Sequence, residues 1–234
     1  MYPGLMQQAP LNISKILEYA ALAHGSREIV SRNVEEPLWR SDYAGTARRA
    51  AQGAHFLASL GMRPGDRVSS LAWNTHRHFE MFYGVPGMGA VLHTINPRLF
   101  ADQLVYIINH AEDRMLFLDA ATLPVVETIA PRLDKVEVYV VLAEEKRMPK
   151  TMLPNVECYE TLIGDENDDD YAWPTFDENS ASTICFTSGT TGNPKGVVYS
   201  HRAAVLQTLL GASFGFLPGH KSGAREVMMP MPPM

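Results

Sequence analysis

Apolar positions at Ile13, Ile16, Leu17, Ala20 and Ala21 recur at helical spacing, and Ala47, Ala50, Ala51, Ala54 and Leu57 repeat the pattern behind Ser41 or Asp42 as N-cap. Both segments predict amphipathic helices. The second stops at Gly61, and Pro64-Gly65 supplies the fixed φ and then the positive φ of a type II turn. Beyond the turn the chain alternates. A strand is predicted over 68–73, a short helix over 75–84 broken by Val85-Pro86-Gly87, and a strand over 90–95 closed by Asn96-Pro97. A helix over 101–110, a strand over 115–118, a helix over 123–130 and a strand over 136–142 follow. Strands that are nearly all apolar, alternating with helices, require a sheet buried on both faces. The fold class expected is α/β, with a layered parallel-sheet subdomain over residues 1–163.

Residues 164–179 break this pattern. They read GDENDDDYAWPTFDEN, with seven acidic residues and no basic one, a composition that favours water over burial and predicts a surface linker. Asp165, Asn167 and Asp169 have the spacing of a calcium loop, but the position that requires glycine is Asp170 and the one that requires a bidentate glutamate is Phe176. The linker reading is preferred, and residues 180–234 then begin a second part of the molecule.

Composition narrows the function. With 46% hydrophobic residues, 20% charged residues and a net charge of -6, the 234-residue chain can bury a core, and neither sign of charge clusters on one face. Nucleic acid is therefore not an expected partner. Two cysteines, Cys158 and Cys185, make no disulfide framework, no segment has the form of a secretory signal, and no apolar run reaches the roughly 20 residues of a membrane span. The expectation is a cytoplasmic protein without a transmembrane segment.

The chemistry concentrates after the acidic stretch. Ser182-Thr183-Ile184-Cys185-Phe186 reads as a buried strand running directly into TSGTTGNPKG, residues 187–196. Hydroxyl side chains and three glycines let backbone N–H groups converge on one concavity, which is how proteins hold phosphate oxygens, and Lys195 adds a mobile positive charge. A Walker A loop is excluded, because Pro194 stands where its second glycine belongs. Residues 196–199 predict a second strand, and Ser200 caps a helix through 203–210, so the order is strand, loop, strand, helix.

From Ile184 through Lys195 the sequence resembles the adenylate-forming superfamily of acyl-CoA synthetases, luciferases and peptide-synthetase adenylation domains. The resemblance extends over the chain and is nearest to bacterial medium- and long-chain fatty acyl-CoA synthetases, through residues 12–32 and 93–112. It implies the large N-terminal domain of that superfamily as the fold, incomplete here. It also implies that Thr187, Ser188, Gly189, Thr190, Thr191, Gly192 and Lys195 contact the β and γ phosphates of ATP, with Lys195 the catalytic charge that follows pyrophosphate. Thr187 is the candidate hydroxyl ligand for Mg²⁺. The co-substrates implied are ATP, coenzyme A and a fatty acid, with AMP and pyrophosphate as products. An aromatic acid is the alternative substrate, and a non-catalytic nucleotide-binding or oligomerising module, with a homodimer left open, is the alternative role.

Other motifs carry less. Gly211-Ala212-Ser213-Phe214-Gly215 fits the G-x-S-x-G of hydrolases, but it follows a helical pattern, and its glycines are expected to end that helix. His76 and His78 point to different sides of a helix and suggest no zinc site; His201 and Arg202 are expected to shape the start of the last helix, and Cys185 to be a small buried thiol. The resemblance places the adenine, ribose and hinge motifs and the lysine of the C-terminal domain outside residues 1–234, so the expectation is an N-terminal piece without activity of its own.

Overall fold

The computed structural model of the chain describes residues 4–6, 8–33, 37–165, 171–187, 193–213 and 228–229. Helix α1 (Ser14–His24) precedes a two-stranded antiparallel ribbon of β1 (Glu28–Ser31) and β2 (Trp39–Asp42). Helix α2 (Tyr43–Ser59) follows at once, and Asp42 is its cap: Oδ1 accepts the Gly45 N–H at 2.8 Å, satisfying one of the orphan donors of the first turn.

The layered alternation comes next. It runs β3 (Arg67–Leu71), α3 (His76–Gly87), β4 (Val91–Thr94), α4 (Ala101–Ala111), β5 (Met115–Leu118), α5 (Leu123–Ile129), β6 (Val138–Val141), β7 (Val156–Cys158) and α6 (Tyr159–Asp165). Last are β8 (Ala181–Thr187), β9 (Lys195–Ser200) and α7 (His201–Ser213). The main sheet has the order β7-β6-β5-β3-β4-β8-β9, parallel throughout except for β9, which is antiparallel to β8.

Side chains alternate between two cores. Val68, Met115, Phe117 and Val140 pack with α2, α3 and α6, whereas Leu71, Leu116, Leu118 and Val141 pack with α4 and α5. Both sets are fully buried, which is why these strands read as unbroken apolar runs. Two glycines set the layer spacing: a Cβ on Gly84 would lie 2.8 Å from the Ala50 carbonyl oxygen, and one on Gly87 would lie 2.3 Å from the Trp173 ring.

The structure departs from the sequence reading at five places. Helix α3 continues through Pro86 to Gly87, because Val85, Pro86 and Gly87 are all buried against α2 and the core, and that packing outweighs the backbone bond the proline lacks. Strand β3 ends at Leu71, since Asp119 Oδ2 takes the Trp73 N–H at 2.7 Å and replaces the ladder. Helix α7 runs past Gly211 to Ser213, so these residues of the G-x-S-x-G stretch are helical, and Gly215 lies outside the described residues. Cys185 is only half-buried, with its Sγ 3.2 Å from Thr94 Oγ1.

The fifth departure is the stretch 164–179. Its acidic half ends α6 and, from residue 166, lies outside the described residues. Its aromatic half packs inward. Tyr171 meets His55 and Trp173 edge-on at 4.9 Å, and Phe176 meets His201 at 4.8 Å. Glu178 accepts the Leu11 N–H at 2.8 Å and pairs with Arg202, so this segment fastens the start of α7 to the residues before α1.

Ion pairs hold the α2, α3 and α6 layer. Arg49 donates Nε to Glu80 at 2.7 Å and grips both oxygens of Glu160 at 3.0 Å, while Arg77 donates Nε to Glu160 at 2.7 Å and Nη1 to the Leu142 carbonyl at 3.0 Å. Glu80 is fully buried and also accepts the Tyr159 hydroxyl at 3.0 Å. Burial alone would raise the Glu160 carboxyl; His76, Arg49 and Arg77 outweigh it and hold the group well below the usual carboxylate range. Trp39 of the ribbon stacks on His76 at 3.9 Å, bringing β2 into the same cluster.

Glu160→Ala should therefore destabilise the fold by about 3 kcal/mol, because it removes the carboxylate that Arg49 and buried Arg77 share, whereas Arg40→Ala, at an exposed pair with Glu28, should change stability by less than about 1 kcal/mol. Urea denaturation of both variants measures the contrast. A second expectation concerns His201, which is buried, accepts the Ile13 N–H on Nδ1 at 3.3 Å, and is pushed by burial down to about 4. The folded value lies below the unfolded one, so its contribution is complete above about pH 6.5 and is lost as pH falls towards 4. In His201→Asn, whose Oδ1 can take the same N–H, stability should change with pH by about one proton less across that window, as read from denaturation midpoints at a series of pH values.

Candidate functional site

Open α/β sheets place ligands outside the carboxyl ends of their parallel strands. The loop singled out from the sequence starts at that end of β8. Thr187 closes β8, Lys195 opens β9, and the two are directly paired across the hairpin, with Phe186 opposite Gly196 and Cys185 opposite Val197. Thr187 and Lys195 are both exposed, and the Thr187 hydroxyl lies 3.4 Å from the Lys195 carbonyl, at the far limit of a hydrogen bond. Among the described residues, no carboxylate is paired with Lys195. Ser188, Gly189, Thr190, Thr191 and Gly192 lie outside the described residues.

The root of the hairpin is anchored on two sides. On the α7 side, the Ser200 hydroxyl accepts the Ala203 N–H at 3.1 Å, the predicted cap, and the His201 N–H reaches the Ser180 carbonyl. His201 and Arg202 do set the helix start, through Ile13 and Glu178 respectively. On the sheet side, β8 runs parallel to β4 with His93 opposite Ile184, and the Phe186 ring lies 5.0 Å from the His93 ring and 6.0 Å, edge-on, from His110 of α4. A Cβ on Gly196 would lie 3.1 Å from the Phe186 ring, so the ring uses the space that glycine leaves.

The sequence reading missed His93, Asp113 and Phe186 as supports. Their signal is faint: one histidine inside the apolar strand AVLHTI, and one aspartate just before MLFL. The two are fully buried, with Nδ1 of His93 2.7 Å from Asp113 Oδ2. Burial raises the Asp113 carboxyl above its ordinary range, and the bond to His93 opposes that rise.

A magnesium site can be tested against these residues. The exposed Thr187 hydroxyl, scarcely engaged by the Lys195 carbonyl, suits one ligand position of an octahedral cation that is otherwise held by phosphate and water oxygens. Among the described residues, no group of three or more His, Cys, Asp or Glu could hold a metal ion by itself. Nor is any helix among them long and apolar enough to cross a membrane.

The class of protein defined by this arrangement is an open, doubly covered α/β sheet with a glycine- and hydroxyl-rich hairpin at its carboxyl rim. The family described as AMP-binding enzyme matches residues 17–234, and the chain belongs to that family. It is 45% identical over 231 residues to a 3-methylmercaptopropionyl-CoA ligase of Ruegeria lacuscaerulensis, covering 99% of this chain and 42% of that protein. It is 44% identical over 231 residues to a medium-chain-fatty-acid–CoA ligase of Ectopseudomonas oleovorans, again covering 99% of this chain and 42% of that protein. The chain thus spans about two fifths of the length of these curated relatives. Among solved structures, the anthranilate CoA ligase AuaEII in complex with anthranoyl-AMP superposes with a TM-score of 0.76 at 22% identity, over 90% of this chain and 38% of that one, a likeness of fold alone.

Proposed function

We infer that the protein works as an ATP-dependent acyl-CoA synthetase. The observation that carries this reading is the sequence TSGTTGNPKG, residues 187–196, whose Thr187 and Lys195 pair at the carboxyl end of β8, in a chain of the AMP-binding enzyme family. In the first step a carboxylate oxygen attacks the α-phosphorus of ATP, the bond from the α-phosphorus to the bridging oxygen breaks, and pyrophosphate leaves. In the second, the coenzyme A sulfur attacks the acyl carbonyl, its proton is lost, and AMP departs.

The work of this chain's residues is positioning and charge. Lys195, exposed beside the loop and without a carboxylate partner among the described residues, neutralises the charge that accumulates on pyrophosphate as it leaves, and loop N–H groups and the hydroxyls of Thr187, Ser188, Thr190 and Thr191 orient it. Thr187 would hold Mg²⁺ beside the phosphates, and the cation would supply further charge stabilisation there. Residues 1–234 correspond to about two fifths of the relatives and are expected to bind Mg-ATP weakly by themselves, since phosphate contacts must compete with well-hydrated oxygens.

The acid is an aliphatic one, and a saturated fatty acid of medium or long chain is the favoured substrate, with 3-methylmercaptopropionate the second. Identities of 45% and 44% to ligases bearing those two names support an acid from this pair. In the intact protein, incubation with ATP, coenzyme A and a panel of acids should give AMP and pyrophosphate with fatty acids preferred over benzoate; ADP as product, or faster turnover of benzoate, would refute the assignment. Lys195→Ala in the intact protein should slow acid-dependent ATP–pyrophosphate exchange by about 100-fold, in line with the loss of one preorganised donor to a developing charge, and should leave Mg-ATP binding by residues 1–234 little changed when followed by calorimetry.

A further inference from the structure

The hairpin that carries Thr187 and Lys195 emerges from the sheet beside a buried polar pair, His93 and Asp113, with the fully buried Ser69 of β3 directly opposite His93. His93 and Asp113 are both completely buried, and their 2.7 Å contact is the only polar contact recorded for the His93 ring among the described residues. With the carboxylate as acceptor, Nδ1 carries the proton, and Nε2 has no hydrogen-bond partner among the described residues. A buried imidazole is expensive to keep if packing is its only task, since leucine would fill the space without a bond to satisfy. Its orientation is what Asp113 fixes. The ring so fixed meets Phe186 at 5.0 Å, and Phe186 is the residue immediately before Thr187 and directly opposite Gly196.

The contacts converge on one ring. Phe186 is bounded by His93 below, by His110 of α4 at 6.0 Å, and by Gly196 across the hairpin, where a Cβ would already approach to 3.1 Å. It cannot move towards β9 without meeting the backbone at Gly196, nor towards β4 without displacing His93. The direction in which the chain leaves β8, and hence the placement of Thr187 and Lys195, follows from where that ring rests.

We propose that the His93–Asp113 pair is the positioning element of the β8–β9 pairing at Thr187 and Lys195: it holds the His93 ring as the wall on which Phe186 is seated, and so aims Thr187 and Lys195 at the departing pyrophosphate. The proposal rests on the acyl-CoA synthetase reading, and the two steps of that reaction provide its test. Pyrophosphate takes part only in adenylation. A residue that aims the loop therefore matters to adenylate formation and not to transfer of a preformed acyl group, whereas a residue needed merely for folding affects both through the fraction of active protein.

The experiment measures the two half-reactions separately in the intact protein: pyrophosphate release with acid and ATP, and acyl-CoA formation from synthetic acyl-adenylate and coenzyme A. For Asp113→Ala, adenylation should fall at least about tenfold while thioester formation stays within about twofold of wild type. Asp113→Asn retains an acceptor for Nδ1–H and should restore adenylation to within about threefold. Phe186→Leu removes the seated ring without leaving a buried polar group unpaired, so it serves if Asp113→Ala fails to fold, and it should show the same selective loss. Parallel loss of both half-reactions, or no loss of adenylation in a folded Asp113→Ala or Phe186→Leu, overturns the proposal. A wild-type protein that forms no adenylate from any acid overturns the synthetase reading beneath it, and that outcome is recognised before any variant is compared.

Discussion

Everything on one face of the sheet depends on the carboxylate of Glu160. It stands at the start of α6, yet it closes salt bridges to Arg49 in α2 and Arg77 in α3, so three helices that share no local sequence are locked at fixed separations. Replacing such a cluster with well-packed apolar residues can be neutral or stabilising, whereas leaving one member alone is costly. Its value here is geometric. Arg77 also binds the Leu142 carbonyl just after β6, and Trp39 stacks on His76 beside it, so the cluster ties the helical layer to the sheet and brings in the β1–β2 ribbon.

The same division of labour separates the two faces of the sheet. The α4 and α5 side is rich in apolar residues, and the buried His93–Asp113 pair reaches from β4 to the residues just before β5. The α2, α3 and α6 side carries the Arg49, Arg77, Glu80 and Glu160 cluster. On the sheet side, the hairpin at the carboxyl end of β8 is held by ring packing and backbone ladders, while the Arg202–Glu178 pair fastens the helix that follows it.

Much of this was legible in the sequence, and the exceptions share a cause. Strand β5 matched its predicted bounds because MLFL is short, apolar and buried on both faces. The β8–β9 hairpin was legible because glycines and hydroxyls separate two β-branched runs, and α2 because Asp42 offers a cap before a clean apolar period. By contrast, β1 and β2 are four residues each, half-exposed and paired only with one another, so neither shows the periodicity of a strand in the main sheet. The continuation of α3 past Pro86 and the inward packing of Tyr171 and Trp173 were decided by partners distant in sequence, Ala50 and Gly87 among them. Of the loop itself, the sequence named the residue types, and the structure adds the pairing of Thr187 with Lys195; the roles proposed for them rest on the family resemblance.

The placement of β8 has a consequence for the order in which the molecule can assemble. Strands β3 to β7 and their helices are contiguous in the chain, but Cys185 of β8 pairs with Thr94 of β4 across 91 residues. Contacts of such long range close late, because the intervening chain must first be ordered. During synthesis β4 is therefore an open edge for as long as it takes to make the intervening residues, presenting unpaired backbone groups that any extended segment could borrow. The strand that carries the loop also closes this edge, so delivery of Thr187 and Lys195 coincides with the disappearance of the most adhesive surface of the nascent sheet.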